Sequence, residues 1–291
     1  MVKPTKIVLI LGILIFILVA FAAAAGLWWQ NPGESYTFTT IRGEEVMIEG
    51  QGLYRYDSVS IVAQAKAQDL VTLVVGLPML LAGLWFYRKG SLRGSLLLAG
   101  TFGYLLYTYL SYCMLSSFNE LFLVYILLFT FNLFALIGTI LSINIPALPE
   151  QFTSKTPIKA IATLLFVMAG FLFLAWGGRI IPALINGETP VGLDNATTLV
   201  IQVLDLGLIV PFSLVGGLLL LKRKPLGYLT ANIMLFKGIS MATAVSTMAV
   251  NMLLNDIPVS PVEVIVFPLL NVAIIIMTIL LFRNIKETKS A

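Results

Sequence analysis

Two ionisable side chains stand inside runs that are otherwise apolar: Asp205, within 198–221, and Lys237, within 227–254. A charge at the middle of a bilayer costs about 2.5–3.5 kcal/mol on insertion scales, so such residues mark places where a membrane protein binds something. A carboxylate and an ammonium held in low dielectric can bind a small solute or an ion. Counted from the basic turn 222–224, Asp205 lies about 16 residues up its helix and Lys237 about nine, which at ~1.5 Å per residue separates their Cα atoms in depth by roughly 10 Å. A lysine side chain covers about half of that rise. A direct ion pair therefore needs helix tilt or an intervening water.

Polar groups recur at helical spacing around these two. Thr230, Lys237, Ser240, Thr247 and Asn251 share one face of their run, with the small Ala244 in the gap. Thr101, Tyr104, Thr108, Ser111 and Tyr112 do the same in 95–115, and Thr198 and Gln202 precede Asp205. Asn132 and Asn271 fall in the interior of theirs. The structural reading of the hydroxyls and amides is interhelical glue, worth about 0.6 kcal/mol apiece. Glue does not need a charge, so Lys237 and Asp205 carry the functional expectation, with Gln202, Asn132, Asn271, Tyr104, Thr108 and Ser240 as candidate partners.

Other chemistries are missing their residues. The chain has no histidine, which removes histidine acid–base catalysis and histidine-ligated metal or haem. Cys113 is the single cysteine, so no intramolecular disulfide can form. No phosphate loop, paired-Asp prenyltransferase motif, zinc-protease helix or nucleophile elbow occurs. A lysine in a late span is the attachment type of a retinal Schiff base, but here it occupies the penultimate span and its carboxylate is loosely placed. No catalytic residue, metal ligand or cofactor is assigned.

The elements that must position these groups are membrane helices. Of the 291 residues, 59% are hydrophobic and 11% charged, against roughly a quarter charged in soluble domains. Eight runs reach the length needed to cross a hydrocarbon core: 7–28, 70–86, 95–115, 121–142, 161–176, 198–221, 227–254 and 264–282. With the N-terminus inside, Lys3, Lys6, Arg88, Lys89, Arg93, Lys155, Lys159, Lys222, Arg223, Lys224, Arg283, Lys286 and Lys289 are cytoplasmic, accompanied by Glu150 and Glu287. The outer side then holds Arg42, Arg55, Lys66 and Arg179 against eleven acids, Asp69, Asp256 and Glu263 among them. That is the positive-inside pattern, with both termini cytoplasmic in a plasma (inner) membrane. The basic residues serve topology, so nucleic acid is not an expected partner. Trp28, Trp29, Trp85 and Trp176 fall near span ends, as interfacial anchors do. The first run also resembles a cleavable signal peptide, and cleavage would leave seven helices.

Outer loop 30–68 is the one hydrophilic stretch of any size. Tyr36–Ile41 and Glu45–Glu49 alternate around Arg42-Gly43, which predicts a small β-hairpin cap. The loop then offers Tyr54, Arg55, Tyr56 and Asp57, either packed over the bundle or forming a recognition surface in which arginine clamps an anion and tyrosines give flat contact.

Internal similarity runs through the chain. Asn132 with Thr139-Ile140-Leu141 matches Asn271 with Thr278-Ile279-Leu280. Asp69, Pro78, Gly83 and Arg88-Lys89 parallel Asp205, Pro211, Gly216 and Lys222-Arg223-Lys224, although the Asp-to-Pro spacing is nine residues in the first and six in the second. Equivalent spans are four apart and run the same way, which predicts a 4+4 parallel repeat made of 1–145 and 157–291. The stretches 50–57, 88–94 and 204–224 resemble an uncharacterised family of prokaryotic polytopic membrane proteins, a resemblance that implies a multi-span helical fold and no activity.

The expected molecule is an all-α, eight-span integral membrane protein, permease-like, that binds or moves a small solute or ion at a polar cavity between two helical halves. The alternative is an accessory or sensor protein that recognises a ligand or a membrane-protein partner through its outer loop. An enzyme ranks third for want of a catalytic set.

Overall fold

The computed structural model describes residues 2–254 and 261–286, with side chains at 261–263 excepted. Asp256, Ser260, Glu287 and Lys289, and the side chain of Glu263, lie outside the described residues. Eight helices long and apolar enough to cross a membrane follow one another: α1 (Lys6–Trp28), α2 (Val59–Arg88), α3 (Leu92–Leu115), α4 (Phe122–Leu141), α5 (Ile158–Asn186), α6 (Val200–Leu221), α7 (Pro225–Leu254) and α8 (Pro261–Arg283). Short hydroxyl residues start three of them. Thr5, Ser58 and Ser91 accept hydrogen bonds from Val8, Ile61 and Gly94 N–H, satisfying donors that a helix N-terminus leaves open. Outward-facing apolar side chains such as Ile10, Ile17 and Phe21 of α1 and Leu269 and Val272 of α8 suit lipid rather than water.

Between α1 and α2, β1 (Tyr36–Thr39) and β2 (Glu45–Ile48) pair antiparallel, with Tyr36 opposite Ile48 and Thr39 opposite Glu45. Gly43 takes a left-handed φ of 84° at the turn, a conformation that costs glycine nothing. The loop is tied to its neighbours by polar contacts. Arg42 donates to Thr197 O at 3.2 Å, Ser58 to Asp194 at 2.6 Å, and Ser117 N–H to Asp57 at 2.8 Å.

Helices α1 to α4 pack as a ring, α1 on α2, α2 on α3, α3 on α4 and α4 on α1. The same neighbour order holds for α5 to α8. The two sets meet through α3 and α7, with α2 also against α7 and α6 against α3. Two apolar cores result. One is built from residues of α1 to α4, the long loop and Leu121 of the α3–α4 connection, with Met241 of α7 packed against it; the other comes mainly from α5 to α8 with part of α3. Each ring is tied by a short antiparallel bridge at the same end of the bundle: Val2 with Ile143, and Phe152 with Ile285. Lys3 N–H donates to Ser142 O, and Thr153 N–H to Asn284 O, both at 2.9 Å.

Two helices carry matching irregularities. In α2, Thr72–Gly76 forms a π-helical turn, and in α6 Asp205–Ile209 does so. Leu77 N–H reaches Thr72 O and Val210 N–H reaches Asp205 O, one residue further back than an α-helix allows. A proline, Pro78 or Pro211, comes next in each case. Glycines then let the following helix come close: a Cβ on Gly94 would strike the backbone at Phe86 and Tyr87, and one on Gly227 the backbone at Leu219 and Leu220.

Candidate functional site

The π turn of α6 brings Asp205 into the bundle, where it is 8% exposed, and Lys237 of α7 is 6% exposed. Both carboxylate oxygens are occupied. Tyr107 of α3 donates its hydroxyl to Oδ1 at 2.7 Å, and Trp176 of α5 donates its indole N–H to Oδ2 at 2.9 Å. The Lys237 ammonium lies 3.9 Å from the centre of the Tyr107 ring. One tyrosine thus stands between the two charges, its face on the cation and its hydroxyl on the anion. The negative face of an aromatic ring attracts an ammonium most strongly when both are desolvated. Among the described residues the salt bridges are Arg55 with Glu120 and Lys66 with Glu49, so Lys237 and Asp205 interact through Tyr107 rather than in direct contact.

A cleft of about 710 Å³ lies beside this cluster, between α5, α6 and the loop joining them. Gln202, one turn before Asp205, and Leu206, next to it, line the cleft with Thr198, Arg42 and Glu188. A smaller cleft of about 400 Å³ shares Glu188 and reaches Arg179, whose guanidinium stacks 5.1 Å from the Trp176 ring. A polar chain therefore leads from Arg179 through Trp176, Asp205 and Tyr107 to Lys237. Trp176, expected as an interfacial anchor, also orients the buried carboxylate.

The remaining expected residues fall into separate groups. Tyr104 and Thr108 meet α2: the Gln68 amide donates to Tyr104 at 2.6 Å and to Thr108 at 3.1 Å, and the Thr72 and Tyr104 hydroxyls lie 2.8 Å apart. Ser240 donates to the Met79 sulfur at 3.5 Å. Asn132 donates to Leu128 O within its own helix, and Asn271 to the Thr243 hydroxyl at 3.0 Å. Neither asparagine bonds to Lys237 or Asp205, and the Oδ1 atom of each is buried without a partner among the described residues.

In the long loop, Tyr54 and Asp57 point inward, Arg55 is half-buried and Tyr56 is exposed. Arg55 grips Glu120 with two hydrogen bonds of 2.7 and 3.1 Å, which lower the Glu120 carboxyl below its usual range and raise the guanidinium. Burial pushes the Asp57 carboxyl up, and its hydrogen bonds from Ser117 oppose that shift only in part. Tyr54 donates to Asp69 at 2.6 Å, and burial raises its phenol well above the ordinary value.

Sequence reading did not single out Tyr107, Trp176, Gln68 or Asp69 as site residues. Tyr107 lies three residues from Tyr104 and four from Ser111, so helical spacing alone places it beside a face already marked polar. Comparison of the chain with protein-family models, curated proteins and solved structures returned no match.

Proposed function

We propose that the chain is a permease-like protein of the inner membrane that binds a small polar solute or ion beside Asp205 and Lys237. One observation carries the reading: opposite buried charges, split by Tyr107, lie where the two helix sets meet, next to a cleft that Gln202 lines. A group entering from the cleft can exchange with the Trp176 or Tyr107 donor on Asp205, while its opposite pole takes the Lys237 ammonium. The π turn favours such a site, because irregular turns inside helices cluster where function needs them. In the same reading 1–145 and 157–291 are duplicated halves, and alternating access is the physical expectation for such folds. Matching π turns before Pro78 and Pro211, matching close approaches at Gly94 and Gly227 and matching terminal bridges support the duplication. The bridged, basic end is assigned to the cytoplasm, and no catalytic role is assigned.

The test is charge movement. Purified protein in liposomes on a solid-supported membrane is exposed in turn to amino acids, carboxylates, amines and alkali cations. At least one class should elicit a current that Lys237→Met and Asp205→Asn each abolish while melting temperature is retained. Currents that persist in both variants, or none from any class, reject the reading. The accessory reading rests on a different observation. Tyr36, Phe38 and Met47 on the hairpin and Ile41 at its turn, 85% exposed, present apolar surface on an otherwise polar loop, which suits a partner protein.

A further inference from the structure

Outside the Asp205 cluster a second carboxyl group is enclosed among the helices: Asp69, in α2, 2% exposed. Tyr54 from the long loop donates to its Oδ2 at 2.6 Å, and Tyr112 from α3 donates to its Oδ1 at 3.1 Å. Tyr104 and Tyr109 of α3 and Tyr125 of α4 also face it. Among the described residues the titratable groups that interact with Asp69 are these five tyrosines, with no lysine or arginine among them. The nearest basic residue along α2, Lys66, is spent on Glu49 at 3.2 Å.

A carboxylate so placed has donors but no counter-charge, and two hydroxyl hydrogen bonds do not offset the loss of water around a full charge. Neutralisation must come from something that enters. The packing sets its size. From α1, Gly26 lies so close that a Cβ there would collide with Asp69 Oδ2 and the Tyr54 hydroxyl. Tyr112 packs edge-on against Tyr54, Tyr109 and Tyr125, with ring centres 6.2, 5.8 and 5.3 Å away. A hard metal cation needs about six oxygen ligands around it, and this closed shell has no room for them. A proton needs none. The Tyr109 and Tyr125 hydroxyls are buried with no partner among the described residues, so the cluster holds hydroxyl oxygens with unused acceptor capacity.

We propose that Asp69 is a proton-binding site within the bundle: its carboxylate takes up one proton from water, forming an O–H bond, and returns it by breaking that bond, while Tyr54 links the event to the loop above. No electrons move and no other group is consumed. In the ionised state Tyr54 and Tyr112 both donate to the carboxylate. In the protonated state the new O–H donates to a tyrosine oxygen, so one of the donors must turn and the hold on the loop changes. The proposal stands on the Asp69 cluster and is independent of what Asp205 and Lys237 carry.

The experiment is infrared difference spectroscopy of the full chain in lipid nanodiscs, stepped across pH in light and heavy water. Wild type should show a carboxylic-acid carbonyl band that grows as pH falls and shifts in heavy water. Asp69→Asn should lose one carboxyl's worth of that band. Tyr54→Phe and Tyr112→Phe, which keep the carboxyl and cover the case of an unfolded Asp69→Asn, should move the band to higher frequency by removing a hydrogen bond. A band that ignores pH and heavy water, or that is unchanged in all three variants, overturns the proposal. Absence of the band at every pH does so too, because Asp69 is then ionised throughout.

Discussion

Tyr107 holds two jobs that substitution can separate. Tyr107→Phe keeps the ring under Lys237 and removes the hydroxyl from Asp205, which should cost about 1.5–3 kcal/mol as a lost hydrogen bond to a charged group. Tyr107→Leu removes the ring as well and should cost about 2 kcal/mol more, the worth of a desolvated cation–π contact. Unfolding in detergent measures both, and equal losses would mean that the ring does not hold the lysine. Asp57 offers a second test, in pH. Its folded carboxyl sits above the unfolded value through burial, so the folded state binds its proton more tightly. Stability from this group therefore rises as pH falls through the raised value and levels off below the ordinary carboxylate range. Asp57→Asn keeps an oxygen for the Ser117 N–H and should flatten that limb of the stability–pH curve. An unchanged limb would assign the pH dependence to another group.

At the scale of the helix, glycine reports where backbones touch. Gly227→Ala forces a methyl into the backbone at Leu219 and Leu220, and such overpacking should cost about 1–3 kcal/mol. Gly170→Ala in α5 meets nothing within 4 Å and should be neutral or stabilise by up to about 1 kcal/mol through helix propensity. Thermal melts of the two variants check the contrast, and similar melting temperatures would show that α6 and α7 do not approach as described. The π turns belong to this scale as well. They were not legible in the sequence, since Pro78 and Pro211 announce a helix irregularity without specifying which. Aligned on those prolines, Asp205 stands opposite Thr72 and Gln202 opposite Asp69, so the paired acids of the sequence comparison are not equivalent positions.

For the whole molecule the testable quantity is sidedness. Both bridged ends, Val2 with Ile143 and Phe152 with Ile285, lie at one end of the bundle with Arg93, which donates to Ile285 O. The β1–β2 sheet lies at the other, since the single length of α1 separates it from Val2. If the basic end is cytoplasmic, Ser154→Cys should resist an impermeant thiol reagent in intact cells and Ser35→Cys should react, once Cys113 is replaced. Labelling at Ser154 and protection at Ser35 would invert the orientation. The long loop adds a constraint on motion. Through Asp57 and Arg55 it grips the α3–α4 connection, and through Arg42 and Ser58 the α5–α6 connection, so any opening of the cleft must bend or release it.

Composition and apolar run length were enough to specify eight membrane-length helices, because a bilayer demands that every crossing segment be long, apolar and internally hydrogen-bonded. Alternation around Arg42-Gly43 was likewise enough for the two-stranded sheet, a local structure. Lys237 and Asp205 drew attention for the same one-dimensional reason: a charge in an apolar run is visible without knowing its neighbours. What each charge touches belongs to tertiary structure. Spacing along a helix says which residues share a face but not which helix that face meets, so Tyr107 and Trp176, from two other helices, could not be assigned to Asp205. Asp69 shows the limit most clearly. Read along the chain it is an acid at the rim of a span; only the return of Tyr54 from the loop and the approach of Gly26 from α1 turn it into an enclosed carboxyl group.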